Sequence, residues 1–155
     1  MFLGIDCGTQ GTKAIVLDAS SGKVLGEGSG AHHMISGANG RREQEVQEWL
    51  DAFEQAAAAA LKQAGISGAE IKGIGVSGQQ HGLVMIDERG QVLRPAKLWC
   101  DTESAPENDR LLDYLGGEAG SLERLGIAIA PGYTVSKLLW TKEQFPELFA
   151  RIDKI

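Results

Sequence analysis

The first stretch able to do chemistry is GIDCGTQGTK, residues 4–13. One carboxylate, Asp6, ends an apolar run, and small, hydroxyl-bearing and basic residues follow it: Gly8, Thr9, Gln10, Gly11, Thr12 and Lys13. Glycines at 8 and 11 allow positive φ and close approach of a ligand to the chain, and successive N–H groups in such a turn bind anions. Asp6 would hold Mg²⁺ or its water ligands beside a phosphate. The pattern predicts the phosphate site of a nucleotide triphosphate, and it is equally compatible with a plain glycine-rich hairpin.

A second polar group, SGQQHG, occupies residues 77–82 at the end of a short β-branched run. The carboxyl end of a buried strand is where open α/β sheets bind ligands. Gln79, Gln80 and His81 can each donate and accept hydrogen bonds, as a polyhydroxylated ligand requires. The alternative is a polar strand end in which His81 caps a turn.

A third candidate is LWCD, residues 98–101, in which Trp99 and Asp101 would share a face of an extended segment. A tryptophan face against sugar C–H groups with a carboxylate nearby suits carbohydrate binding. The alternative is a core tryptophan followed by an aspartate that caps a helix. The acidic run Glu43 to Glu48 is interpreted as the first turn of a helix.

Composition limits the classes of function. The chain has 155 residues, enough for one domain, and a net charge of −6. This charge argues against nucleic acid as a partner and makes a ribonuclease-H-like nuclease with Asp6 as metal ligand remote. No apolar run is long enough to cross a bilayer, and Cys7 and Cys100 lack metal-type spacing, so a cytoplasmic protein with reduced thiols is expected. The apolar end FPELFARIDKI suggests a fragment of a longer chain.

The hydrophobic pattern predicts a β-meander, a helix and a parallel strand. Strands are expected at Phe2–Asp6, Thr12–Asp18 and from Lys23 to about His32. A helix from Val46 to Gly65 would bury one apolar stripe, listed as Val46, Trp49, Leu50, Phe53, Ala57 and Leu61. Ile71–Gly78 is predicted as a buried parallel strand. A hairpin should turn at 88–90, and four helices should follow, at 104–115, 120–125, 134–143 and 146–153. This order predicts an α/β fold of the ribonuclease-H-like kind, an antiparallel meander extended by parallel strands with flanking helices.

These motifs together resemble the FGGY family of carbohydrate kinases, over residues 2–155. GIDCGTQGTKAIVLD is similar to that family's first phosphate loop, and REQEVQEWL to its helix entry. GIGVSGQQHGLVMID and VLRPAKLWCD resemble its sugar-binding segment, and PGYTVSKLLWTKEQFPELFARIDKI resembles its following helical stretch. The QQH triplet is the feature that resembles members acting on D-xylulose.

The resemblance implies a member of the sugar-kinase, Hsp70 and actin superfamily that transfers the γ-phosphate of ATP, with Mg²⁺, to the 5-hydroxyl of D-xylulose. It implies that Asp6 organises the metal and phosphates, that residues 8–13 approach the phosphates, and that Gln79, Gln80, His81, Trp99, Asp101 and Gly132 bind the sugar. Ribulose, gluconate or glycerol as the substrate, or a non-catalytic sugar-binding module, are the alternatives. The expected partners are the ketose, a second domain of the same protein, and a second copy in a homodimer.

Two departures from the family pattern qualify the expectation. Glu103 stands where many relatives carry arginine. No residue matches the aspartate that serves the family as general base or its adenosine pocket, which come from a second domain. Residues 1–155 are therefore expected to form the N-terminal domain, inactive by itself.

Overall fold

The computed structural model describes all residues, 1–155. They form two compact units, Met1–His33 with Glu45–Gln79, and Met34–Gln44 with Gln80–Ile155. The strands are β1 (Phe2–Cys7), β2 (Gly11–Asp18), β3 (Lys23–Ala31), β4 (Ile35–Ser36), β5 (Arg42–Gln44), β6 (Ile74–Gly78) and β7 (Ala96–Lys97). The helices are α1 (Val46–Ala64), α2 (Ala105–Leu115), α3 (Gly117–Leu125), α4 (Thr134–Gln144) and α5 (Pro146–Phe149). None of these helices has the length and apolar character to cross a bilayer.

The first unit is a four-stranded sheet in the order β3-β2-β1-β6, covered on one face by α1. β1, β2 and β3 are antiparallel neighbours, and β6 runs parallel to β1 with Ile74 opposite Leu3. The predicted meander, helix and parallel strand are thus confirmed. The helix ends where predicted, because Gly65 takes a left-handed conformation at φ 67° and its N–H caps carbonyls of the last turn.

The prediction that the parallel strand is buried is wrong. β6 is exposed along its whole length, and the side chains of Ile74 and Val76 are 58% and 73% exposed. The reason is its position at the sheet edge, since α1 packs on β3 and β2 far more than on β1. An apolar, β-branched run predicts a strand, but its burial depends on which elements lie over it.

The face that α1 buries agrees with the predicted stripe only in part, since Phe53, Ala57 and Leu61 lie in or against the core. Its fully or nearly fully buried residues are alanines: Ala52, Ala56, Ala57 and Ala60. Leu50, predicted in the buried stripe, is 54% exposed. β3 carries glycine at alternate positions 26, 28 and 30, and a Cβ on Gly28 would lie 2.0 Å from the Ala56 carbonyl oxygen. Helix and strand therefore touch backbone to backbone, and only small side chains fit between them.

The second unit contains a small sheet that the sequence did not predict. Its order is β4-β5-β7, with antiparallel pairing at Ile35–Glu43 and Glu43–Lys97. Glu43 is fully buried in β5, so the interpretation of residues 43–48 as one acidic helical turn is wrong for its first part. Strands of two and three residues are too short for a hydrophobic period to be detected in the sequence.

The remaining predictions for the second unit hold in outline. The hairpin turns between Asp87 and Gln91, with Gly90 at φ 76°. α2 and α4 lie within a residue of the predicted bounds, α3 begins three residues earlier, and α5 stops at Phe149. The loop before α2 carries the candidate site residues Trp99 and Asp101, and the loop before α4 carries Gly132.

Candidate functional site

The predicted phosphate loop is the tip of the β1–β2 hairpin. Asp6 pairs with Lys13 and Cys7 with Thr12 across the two strands. The Gly8 N–H donates to the Gly11 carbonyl at 3.0 Å, which leaves residues 9 and 10 at the tip. Because paired residues of adjacent strands point to the same face, the carboxylate of Asp6 and the ammonium of Lys13 lie on one side of the sheet.

The prediction that the two glycines adopt positive φ is wrong, since neither Gly8 nor Gly11 does so. Gly11 is required by a close approach between strands instead. A Cβ at position 11 would lie 2.5 Å from the carbonyl oxygen of Gly30 in β3. A Cβ at Gly8 would meet only the Gly11 carbonyl oxygen, at an ordinary 3.4 Å. The glycine at 11 therefore lets three strands converge at the loop.

A cleft of about 440 Å³ opens beside this loop. Its lining includes Asp6, residues 8–13 and residues 29–31 of β3. Asp6, Gln10 and Lys13 are exposed to it, whereas Thr12 is completely buried and its hydroxyl contacts the His32 ring at 3.0 Å. A cation, a carboxylate and backbone amides around one cleft are the groups that a phosphate with an associated metal ion requires.

Gln79 is tied to the same hairpin. Its N–H donates to the Cys7 carbonyl at 3.0 Å, and its side-chain oxygen accepts from the Thr9 hydroxyl at 3.2 Å. The end of β6 is therefore connected to the tip of the phosphate loop within the first unit. The sequence placed Gln79 with the sugar contacts, and this bond to Thr9 is a contact that the spacing alone did not reveal.

In the second unit, His81 is held in a conformation unusual for its type. Its φ is 58°, in the left-handed region that few non-glycine residues adopt. The exposed ring stacks on Tyr133, with centroids 4.3 Å apart. Its backbone carbonyl accepts from the Lys137 ammonium at 2.6 Å. The ring is thus held by Tyr133 in the loop before α4, and the backbone of His81 is held by Lys137 in α4.

Lys137 joins the two predicted sugar-binding loops. Its ammonium donates to the carbonyl of His81 and, at 2.7 Å, to that of Gly132. The side chain is completely buried, and desolvation lowers its pKa from 10.5 to about 8, although the charge of Asp101 opposes this. The sequence analysis did not select Lys137. The feature that could have identified it is the position of a lysine on the buried face of α4, beside Ser136 and Trp140.

The segment around Trp99 is a turn and not the extended segment that the sequence predicted. The Asp101 N–H donates to the Leu98 carbonyl at 3.1 Å. Trp99 is consequently 51% exposed, whereas Asp101 is completely buried, so the two side chains do not share a face. The Trp99 carbonyl lies so close to Gly132 that a Cβ there would be 2.2 Å from its oxygen. Glycine at 132 is therefore required by contact with the tryptophan turn.

Asp101 holds this turn together. One carboxylate oxygen accepts from the Glu103 N–H at 3.0 Å, and the other accepts from the Arg42 N–H at 2.8 Å and from the Lys97 ammonium at 2.9 Å. The alternative that Asp101 caps a helix is wrong, because α2 begins after Ser104 and the Glu103 N–H that Asp101 accepts from lies outside it. Both oxygens of Asp101 are thus engaged by the chain itself.

Lys97 lies at the centre of a buried charge cluster that the sequence did not predict. Its ammonium contacts Asp101, Glu103 at 2.7 Å and Glu43 at 3.3 Å, and it sits 4.0 Å from the centre of the Trp140 ring. Oxygens of the three carboxylates lie within 4.8 Å of one another, a set that could hold a metal ion. The ammonium contacts all three, and Arg41 and Arg94 also pair with Glu43, so three cations of the chain compensate the three carboxylates. The unusual Glu103 therefore has a partner in Lys97.

The structure thus groups the sequence-predicted residues within each unit. The first unit gathers Asp6, residues 8–13 and Gln79 around the hairpin. The second gathers His81, Gly132 and Trp99 around Lys137 and the tryptophan turn, with Asp101 buried beneath and Gln80 exposed. His32, Lys97 and Lys137 are the residues that sequence reasoning left out of both groups.

Comparison with known proteins finds several xylulose kinases that are similar to this chain. The chain is 54% identical to a xylulose kinase of Haemophilus influenzae, over 100% of this chain and 32% of that protein. It is 42% identical to a xylulose kinase of Streptomyces coelicolor, over 95% and 29%. The crystal structure of a xylulose kinase from Rhodospirillum rubrum superposes with a TM-score of 0.89 at 28% identity, covering 97% of this chain and 30% of that one.

The chain spans about a third of the length of the curated relatives that it matches. The N-terminal domain that characterises the FGGY family of carbohydrate kinases matches from residue 1 to residue 155. The match therefore extends over both units, from the phosphate hairpin to α5. The chain belongs to the FGGY family of carbohydrate kinases and corresponds to their N-terminal domain.

Proposed function

We propose that this chain is the N-terminal part of an ATP-dependent kinase that phosphorylates the 5-hydroxyl of D-xylulose. The observation that carries the proposal is the hairpin tip, where Asp6, Lys13 and residues 8–12 line one cleft. The xylulose kinases among its relatives support the choice of ketose. The rest of the protein would supply the general base and the adenosine pocket.

The first unit would carry the phosphate chemistry. Asp6 is exposed at the end of β1 and offers carboxylate oxygens, the ligands that Mg²⁺ prefers, while a lone carboxylate leaves the ion its water ligands. Mg²⁺ bound there would neutralise charge on the phosphates. Lys13 and the hairpin amides would orient the γ-phosphate for in-line transfer, and they do not need to move a proton.

The second unit would bind the ketose. The His81 imidazole, stacked on Tyr133, presents a ring nitrogen that can donate to or accept from a sugar hydroxyl. The half-exposed Trp99 offers an apolar face for C–H groups. Gln80 adds an exposed amide group, and buried Asp101 would act by holding the turn that carries Trp99.

The test is ADP release by the full-length protein with a panel of D-xylulose, D-ribulose, gluconate and glycerol. The highest kcat/KM is expected with D-xylulose, and a preference for another member of the panel would move the proposal to that substrate. Asp6→Ala should abolish turnover and leave ketose binding measurable by calorimetry. His81→Ala should raise the KM for the ketose by about tenfold, the loss expected for one hydrogen bond. Unchanged turnover in Asp6→Ala would remove Asp6 from the mechanism, and no turnover with any sugar would refute the kinase.

A further inference from the structure

His32 contacts the phosphate hairpin at three points from outside it. The residue follows β3 and is 8% exposed. Its backbone N–H donates to the Gln10 carbonyl at 3.1 Å. Its ring nitrogens lie 3.1 Å from the Gly8 carbonyl and 3.0 Å from the Thr12 hydroxyl. One residue thus contacts the beginning, the tip and the end of the loop that the proposed function assigns to phosphate binding.

The partners of His32 determine where its proton lies. A carbonyl oxygen only accepts, so Nδ1, which faces the Gly8 carbonyl, must carry the hydrogen. In the neutral ring Nε2 then has a lone pair, which accepts from the Thr12 hydroxyl. Burial is the main cause that lowers the pKa of His32, while the Gly8 carbonyl and the Glu48 carboxylate on α1 act in the opposite direction. The ring is therefore neutral near pH 7 and bonded through both nitrogens.

The bond to the Gly8 carbonyl also sets the direction of a loop amide. Every peptide bond of the chain is trans, so the C=O of one residue and the N–H of the next point to opposite sides of the peptide plane. Because the Gly8 carbonyl points towards the His32 ring, the N–H group of Thr9 points away from it. His32 is buried beneath the loop, so this N–H group is directed to the loop's outer side.

We propose that His32, as the neutral Nδ1–H tautomer, is a positioning residue that holds the phosphate hairpin with the Thr9 amide turned outward for ATP. The proposal rests on the proposed function for its ligand. It also reassigns Thr12, whose hydroxyl donates to His32 and acts on the loop's shape rather than on the phosphate. His32 touches no reacting atom in this arrangement.

The tautomer is tested first, on the full-length protein, by long-range ¹H–¹⁵N NMR of the histidine rings near neutral pH. His32 should show a protonated Nδ1 and an unprotonated Nε2. His33 is the internal comparison, because its side chain is 85% exposed and contacts only Glu48. A His32 ring protonated at Nε2, or at both nitrogens near pH 7, would overturn the proposal whether or not the protein is a kinase.

Kinetics of the same protein test the positioning role. His32→Ala should raise the KM for ATP by about tenfold, the equivalent of one lost hydrogen bond, with little change in kcat and in the KM for the ketose. A purely structural defect would reduce the active fraction and hence kcat, and would leave the KM for ATP unchanged. His33→Ala is the matched control and should behave as the wild type.

Two conservative variants separate the two ring contacts. In His32→Asn the amide nitrogen can replace Nδ1 towards Gly8, and in His32→Gln the amide oxygen can replace Nε2 towards Thr12. Each should recover part of the ATP affinity lost in His32→Ala. In the wild type the KM for ATP should also rise below the ordinary histidine pKa of about 6.5, because a protonated Nε2 no longer accepts from Thr12. His32→Asn should lack this rise.

The outcomes distinguish this proposal from the proposed function. An active wild type whose KM for ATP is unchanged in His32→Ala refutes the positioning role and leaves the kinase in place. A wild type inactive with every sugar refutes the proposed function, and the proposal about His32 is then decided by the NMR tautomer and by calorimetric titration of ATP into wild type and His32→Ala.

Discussion

The contact between β3 and α1 makes Gly28→Ala the most informative change to the fold. The added Cβ would lie 2.0 Å from the Ala56 carbonyl oxygen, 2.8 Å from the Ala59 Cβ and 2.9 Å from the Ala60 nitrogen. Two of these atoms are helix backbone, which no rotamer change can move. Because non-bonded atoms need about 3.5 Å, α1 would have to retreat from β3 by more than about 1 Å.

The cost follows from this displacement. Overpacking a well-packed core costs about 1–3 kcal/mol, and the upper end applies here because a whole helix must move. The smaller conformational freedom of alanine in the unfolded chain returns about 0.4–1 kcal/mol. A loss near 2 kcal/mol would lower the melting temperature by about 4–8 °C in a protein of this size. A loss of about 2 kcal/mol is a large part of the free energy of unfolding of a typical domain, which is roughly 5–15 kcal/mol.

Gly75→Ala is the matched control. Gly75 lies in β6 of the same sheet, has no positive φ, and a Cβ there would meet nothing within 4 Å. This variant shares the effect on the unfolded chain without the clash, so it should be neutral or stabilised by about 0.5 kcal/mol. Urea unfolding followed by circular dichroism measures both variants. If Gly28→Ala unfolds at the same urea concentration as Gly75→Ala with the same m-value, the backbone contact between β3 and α1 does not exist as described.

Two further predictions concern buried lysines. Lys137→Met should raise the KM for the ketose by about tenfold with a smaller effect on kcat, because the carbonyls of His81 and Gly132 lose the donor that they share. Equal KM values in the variant and the wild type would refute this. Burial lowers the pKa of Lys137 to about 8, against 10.5 for an unburied lysine. Between about pH 8 and about pH 10.5 the unfolded chain therefore binds more protons than the folded protein does. Stability relative to Lys137→Met should therefore rise from about pH 8 to about pH 10.5 in urea titrations, and a falling difference would contradict the assigned burial. Lys97→Met should cost about 3–5 kcal/mol, because Asp101 and Glu103 lose their ammonium partner, while Glu43 keeps Arg41 and Arg94; a near-neutral result would contradict this dependence on Lys97.

Much of the candidate site could be predicted because it is local in sequence. The hairpin that holds Asp6 and residues 8–13 is formed by adjacent strands, and its glycines, hydroxyls and lysine are contiguous. His81 was recognised by its place after a strand. The role of each residue was less predictable from the sequence. Thr12 is buried against His32, and Asp101 is enclosed by the chain. Both environments are formed by residues that are distant in sequence.

The sequence by itself determined the order of the first strands, the helix that ends at Gly65 and the family motifs, since hydrophobic period, turn chemistry and caps act over a few residues. The tertiary structure decided which face of α1 is buried, because the space above β3 is set by glycines more than twenty residues away. It alone brought Glu43 to Lys97 across 54 positions of sequence, and Lys137 to His81 across 56. Such pairings are specified by packing and burial of charge, which no local pattern encodes.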